Sequence, residues 1–132
     1  MKGYAISIEE ETKKNTDFRR VLYTAAHSQL VLMCVRPGCE LGEEVHKLSD
    51  QFFRFEAGKG KAVIDGVEHP IKDGISVVVP SGARHNIINT SKTEDLKFYT
   101  IYSPPHHRDG VVHHTQEEAE KDREHFGGRT SE

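Results

Sequence analysis

The feature that most constrains this chain is its cadence. Eight runs of five to seven residues, rich in Val, Ile, Phe, Tyr and Thr, are punctuated by Gly, Pro, Asp and Ser. They are Arg20–Thr24, Leu30–Arg36, Gln51–Glu56, Lys61–Asp65, Val67–Ile71, Ile75–Val79, His85–Thr90 and Leu96–Tyr102. Runs of this length and composition read as strands. Asp65-Gly66 stands between two of them, and both residues tolerate positive φ, which makes a tight hairpin. Lys72-Asp73-Gly74 and Pro80-Ser81-Gly82 mark two further turns. Strands this closely spaced leave no room for crossover helices, so the expectation is all-β, an antiparallel sandwich or barrel. A chain of 132 residues suits one domain with one core. We place the barrel at about 18–103 and a C-terminal arm and helix at 104–126.

The flanks read differently. Ser7–Asp17 is polar apart from Ile8 and is expected to be a solvated loop. Thr115-Gln116-Glu117-Glu118 is a capping-box pattern that predicts a short surface helix over Gln116–Phe126, with a frayed tail from Gly127. Ser103–His114 is expected to be an extended arm, solvated or at a subunit contact, carrying His106, His107, His113 and His114. The net charge of −3 comes from intermixed acids and bases, with no basic face for nucleic acid or anionic lipid. The longest apolar run, Leu30–Val35, is far too short to span a bilayer, and no secretory leader is legible. Cys34 and Cys39 are too few for a disulfide framework, and Cys34 reads as a reduced core thiol. A cytoplasmic location is the expectation.

Two segments carry the chemistry. The first runs from Gly38 through Glu44, His46 and Gln51 to Gly58; the second runs from Gly74 through Pro80, Gly82 and His85 to Asn89. On a strand, Glu44 and His46 point to one face, and Gln51 shares a face with Phe53 and Phe55 on the next, while Phe52 and Arg54 point outward. His85 opens a separate strand. A barrel can bring two imidazoles, a carboxylate and an amide oxygen onto one ion.

The second segment matches the pattern G-x5-P-x-G-x2-H-x3-N at every defined position. The first keeps the spacing G-x5-H-x-H-x4-E-x6-G, with Glu44 for the first His and Gln51 for the Glu. Over roughly Leu30–Tyr102 the chain therefore resembles the small single-domain bacterial cupins, in particular the subgroup described as sugar-phosphate (mannose-6-phosphate) isomerase-like. The resemblance implies a double-stranded β-helix, or jelly-roll, barrel. It also makes Glu44, His46, Gln51 and His85 the ligands of one divalent metal ion: Fe, Mn, Zn, Ni or Co. The set keeps one carboxylate but moves it to another corner. Gln51 either ligates through its neutral oxygen or hydrogen-bonds a metal-bound water. Two His and one carboxylate with open positions also suit non-haem Fe(II).

Phe53 and Phe55 are expected to line the ligand pocket, with Tyr99 and Tyr102 on the last strand at undetermined parity. Arg84, beside His85, is the basic candidate near the site. The leading expectation is a metal-dependent, isomerase-like enzyme acting on a small polar metabolite such as a sugar phosphate, although no base and no phosphate cradle are visible. The alternatives are an Fe(II)-dependent dioxygenase and a non-catalytic barrel that binds a small ligand. No basic helical appendage suggests a transcription regulator. A homodimer is expected, with the N-terminal segment and the arm at the contact.

Overall fold

A computed structural model describes residues 1–132. All eight expected strands form, within a residue or two of their expected ends, and two very short ones join them. In chain order they are β1 (Arg19–Thr24), β2 (Gln29–Val35), β3 (Glu44–Val45), β4 (Asp50–Ala57), β5 (Lys59–Ile64), β6 (Val67–Lys72), β7 (Ser76–Val79), β8 (Arg84–Asn89), β9 (Leu96–Ser103) and β10 (Val112–His113). One sheet has the order β10-β1-β2-β9-β4-β7 and the other β3-β8-β5-β6. Every pairing is antiparallel. The two sheets face each other as a jelly roll, the double-stranded β-helix.

Alternation fills the space between the sheets. On β9 the even-numbered residues Leu96, Phe98, Thr100 and Tyr102 are buried, and the odd-numbered ones are half-buried. Phe53 and Phe55 of β4 meet Phe98 in an aromatic cluster with ring centroids 5.0–6.1 Å apart. Val31, Met33 and Val35 of β2 and Ile87 of β8 complete the centre of the core. Asp65 and Gly66 take φ of 46° and 81°, the two positive values a tight β5–β6 hairpin needs. Asn89 ties a turn: its amide donates to the Val35 and Glu94 carbonyls, and its oxygen accepts from Ser91 N–H. Cys34 is buried and its thiol is pushed up to about 11, chiefly by desolvation, so it stays a protonated core residue.

The flanks correct the sequence reading. Ser7–Asp17 is not a loop throughout: Ile8–Lys14 forms helix α1. Glu9–Lys13 and Glu10–Lys14 pair along it at i,i+4, and Thr12 is fully buried while donating to Ile8 O. The second helix, α2 (Gln116–Lys121), starts at the expected cap but ends five residues before Phe126. The tail is not frayed, because Ser131 N–H donates to Thr24 O and Glu132 accepts from Lys2 N–H, Gly3 N–H and Tyr23 O–H.

The histidine arm is only partly solvated: His107 and His113 are buried and His106 is half-buried, while His114 is exposed. Gln29, 1% exposed, clamps it from β2 like a piece of strand. The Gln29 oxygen accepts His106 N–H (3.2 Å) and His107 N–H (2.9 Å), and its amide donates to His107 O (2.7 Å). Ser49 holds Pro104 O at 2.8 Å, and Phe126 N–H holds His106 O at 2.9 Å. The N-terminal segment and the arm thus pack on their own barrel.

Candidate metal centre

β3 and β8 pair with Glu44 opposite His85. The two-residue step from Glu44 to His46 brings all three to one place. One donor atom from each of Glu44, His46 and His85 lies within 4.8 Å of the other two. His46 and His85 rings are 5.2 Å apart between centroids.

The donor chemistry fits a cation. The backbone oxygen of Ala83 lies 3.1 Å from His85 Nδ1, and an oxygen can only accept, so Nδ1 carries the proton. The Nε2 lone pair is then free for a metal. Burial lowers the His85 pKa and favours this neutral form. His46 Nε2 is buried without a hydrogen-bond partner. Glu44 Oε2 lies 3.0 Å from it, but not in hydrogen-bond alignment, an approach two ligands make when they share an ion. Burial is the largest influence and acts to raise the Glu44 carboxyl, but His46, Arg19 and His85 together outweigh it, so the net displacement is downward and the group is a carboxylate.

Gln51 is 2% exposed and sits across β9 from Tyr102. Its amide donates to Thr100 Oγ1 at 3.0 Å, which aims the amide group, and its Oε1 is a second buried atom without a partner. Orphaned buried acceptors are rare enough to need an explanation. A cation, or a water bound to one, supplies it.

The pocket residues divide by strand parity. Phe53 is inward, 6.4 Å from the His85 ring, and Phe55 lies deeper against Phe98. Tyr102 is inward and 3% exposed, its ring edge-on to His46 at 5.6 Å. Two expectations are corrected. Tyr99 is on the outer face of β9, paired across the strands with Arg54 and 6.4 Å from Phe52. Arg84 also points outward, because it precedes His85 on β8 and must take the other face; it is exposed and 3.4 Å from Glu43. Neither reaches the centre.

The sequence reading missed three residues around the centre as site residues: His106, His107 and Glu124. The His106 ring lies 4.3 Å from His46 and 5.2 Å from Tyr102, and it is pushed down to about 4 by burial, then by His107 and His46. His107 Nε2 lies 3.2 Å from the Tyr102 hydroxyl, and Nδ1 lies 2.9 Å from Glu124 Oε2. Glu124 is a carboxylate and only accepts, so His107 Nδ1 donates to it. The neutral His107, which burial favours, then accepts the Tyr102 proton at Nε2. The joining of His107 to Glu124, seventeen residues on, was not legible in the sequence.

A small antiparallel jelly roll with a His/His/Glu cluster at one end defines a class: a single-barrel protein compatible with one metal ion. The Cupin domain family (Cupin_2) matches residues 31–102, more than half of the chain. This protein belongs to the cupin family. It is similar to Uncharacterized protein L612 of Acanthamoeba polyphaga mimivirus, 41% identical over 83% of this chain and 70% of that protein. It is also similar to Uncharacterized protein YrkC of Bacillus subtilis (strain 168), 39% identical over 89% of this chain; the chain spans 66% of that relative's length. Among solved structures, BH2720 from Bacillus halodurans matches at a TM-score of 0.89 and 36% identity, covering 92% of this chain and 96% of that one. No helix is long and apolar enough to cross a membrane.

Proposed function

We propose that this cupin holds one divalent metal through Glu44, His46 and His85, with Gln51 as the fourth side chain, and uses it in an isomerase-like reaction on a small polar metabolite. The observation that carries the metal assignment is the convergence of three donor atoms within 4.8 Å, with His85 holding its proton on Nδ1 and Glu44 a carboxylate. Bound there, the metal would act as a Lewis acid on a carbonyl or hydroxyl oxygen. The chain's own residues do the rest. Phe53 and Tyr102 shape the apolar wall against which the ligand lies. The Tyr102 hydroxyl, bonded to His107 and through it to Glu124, supports proton handling beside the centre, which the sequence reading lacked.

Metal analysis of tag-free protein tests this first, with about one equivalent of Zn, Mn, Co, Ni or Fe expected. His46→Ala and His85→Ala are each expected to lose the ion. Gln51→Ala loses roughly 10–100-fold in affinity if it only orients a bound water. Full occupancy in both histidine variants sinks the assignment. Aldose and ketose phosphates then test the reaction, and no turnover at high protein concentration removes the isomerase reading.

A second reading rests on the ligand set itself. Two His and one carboxylate with open positions is the donor set of non-haem Fe(II) oxygenases. Iron in the purified protein and oxygen uptake with catechols, diketones or thiols would favour it. A metal-loaded protein that turns over nothing fits a small-ligand-binding barrel.

A further inference from the structure

Five histidines are buried or half-buried, and His106 is the one whose ring makes no hydrogen bond or ion pair. His85 bonds to Ala83 O, His107 to Tyr102 and Glu124, and His113 to Arg19 and Asp122. His46 Nε2 lies against Glu44. The hydrogen bonds of His106 are all made by its backbone: N–H donates to Gln29 Oε1 at 3.2 Å, and the carbonyl accepts Phe126 N–H at 2.9 Å. Neither ring nitrogen is among the partnerless atoms sealed from solvent, so both keep solvent contact although the residue is half-buried.

Packing fixes that ring all the same. It stacks on Tyr102 at 5.2 Å and 23°, meets His107 edge-on at 4.8 Å, and lies 4.3 Å from the His46 ring. Contact with His46 makes His106 part of the wall of the centre. Its nitrogens stay outside the three-donor cluster, so it is a neighbour of the ion and not a ligand. Phe53 stands beside His85, and the His46 side chain is only 9% exposed, whereas that of Glu44 is 39% exposed. Glu44 and His106 are therefore the groups a molecule entering from solvent can reach. A neutral imidazole offers one N–H donor and one acceptor, the complement of a hydroxyl. A ring held on three sides with both polar atoms unused is preorganised for a ligand, since the fold draws no hydrogen bond from it.

We propose that His106 contacts the ligand of this centre, hydrogen-bonding through a ring nitrogen to the small molecule that coordinates the ion held by Glu44, His46 and His85. The inference rests on the metal reading of that centre and narrows its ligand to a hydroxylated oxygen chelator, such as an α-hydroxy acid or a polyol. An oxygen of the ligand goes to the ion and a hydroxyl meets His106. His106 lies beyond residues 31–102, the span that matches the Cupin domain family, so this contact belongs to the arm of this chain.

The test uses the full chain loaded with Co(II), with glycolate as the probe and the metal's visible absorption as the report of binding. His106→Phe keeps a planar ring against Tyr102 and removes both nitrogens, while His106→Gln keeps a donor and an acceptor. His106→Phe is expected to weaken glycolate binding by about three- to tenfold, the worth of one hydrogen bond, and His106→Gln to recover part of the loss. Co(II) affinity should be unchanged in both, because His106 is not a ligand. In Zn(II)-loaded wild type, the ring-nitrogen NMR signals of His106 should shift as glycolate is added, a readout that needs no variant to fold. Equal glycolate affinity in wild type and His106→Phe overturns the proposal, as do His106 signals that stay fixed at glycolate saturation. A wild type that takes up Co(II) and binds no glycolate overturns it too. Loss of Co(II) in both variants does the same, since it makes His106 a metal ligand or a packing residue. A wild type that takes up neither metal sinks the metal reading itself and the contact with it, an outcome distinct from the others.

Discussion

Single protonation states organise this site. His85 and His107 are each fixed as the Nδ1–H tautomer by an acceptor that has no proton of its own, Ala83 O in one case and the Glu124 carboxylate in the other. Glu124 is the more consequential partner. Burial acts to raise its carboxyl, but the His107 hydrogen bond and charge, with Arg108 N–H at 2.7 Å, bring it down to about 2. A depressed carboxyl contributes stability that is complete above its ordinary value of 4.5 and disappears as pH falls toward about 2. Glu124→Gln cannot serve both donors, because one of its two positions becomes an NH2 facing an N–H. It should cost about 1.5–3 kcal/mol at neutral pH. Urea unfolding across a pH series should show wild type and Glu124→Gln converging below pH 4.5, and a gap that stays constant down to pH 2.5 would refute the assignment.

At the level of elements, backbone contact matters as much as side-chain packing. Gly60 lies on β5 opposite Asn89 of β8, and a Cβ there would come within 2.1 Å of the Ile88 carbonyl oxygen. Both groups are ladder backbone and neither can swing away. Gly66, in the hairpin, has a φ of 81° and open space around it. Gly60→Ala should therefore lose several kcal/mol or fail to fold, whereas Gly66→Ala should cost about 1 kcal/mol from the positive φ alone. Equal melting temperatures for the two variants would contradict the close β5–β8 approach. The helices show the limits of local pattern. Only Ile8 is apolar in the α1 sequence, so periodicity gave no signal, yet α1 packs on β9 and β4 and buries Thr12. Helix α2 stops at Lys121 although its sequence favours helix further, because Asp122 and Glu124 are drawn to His113 and His107. Tertiary hydrogen bonds overrode propensity there.

For the whole molecule, the metal centre ties the second sheet, through Glu44 and His85, to the loop that carries His46 into β4. An ion bound there and not in the unfolded chain should stabilise the fold by mass action: at a free concentration 100 times its dissociation constant, about 2.7 kcal/mol. Scanning calorimetry of chelator-treated protein before and after adding Zn(II) or Co(II) should show the melting temperature rise, and His85→Ala should abolish the rise. An unchanged melting temperature in wild type would argue against the shared site. Much of this molecule was written in the chain itself. Strand alternation, the Asp65-Gly66 hairpin, the inward set Gln51, Phe53 and Phe55, and the shared face of Glu44 and His46 depend on a period of two and on turn residues with positive φ, both local properties; that His85 joins them was implied by the resemblance to the cupins. Only the tertiary structure decided the folding of the histidine arm onto Gln29 and the placing of His107 and Glu124 around the centre. Those depend on which buried donor meets which acceptor across 17 to 78 residues of chain. Hydrogen bonds over such separations leave no periodic trace in a sequence.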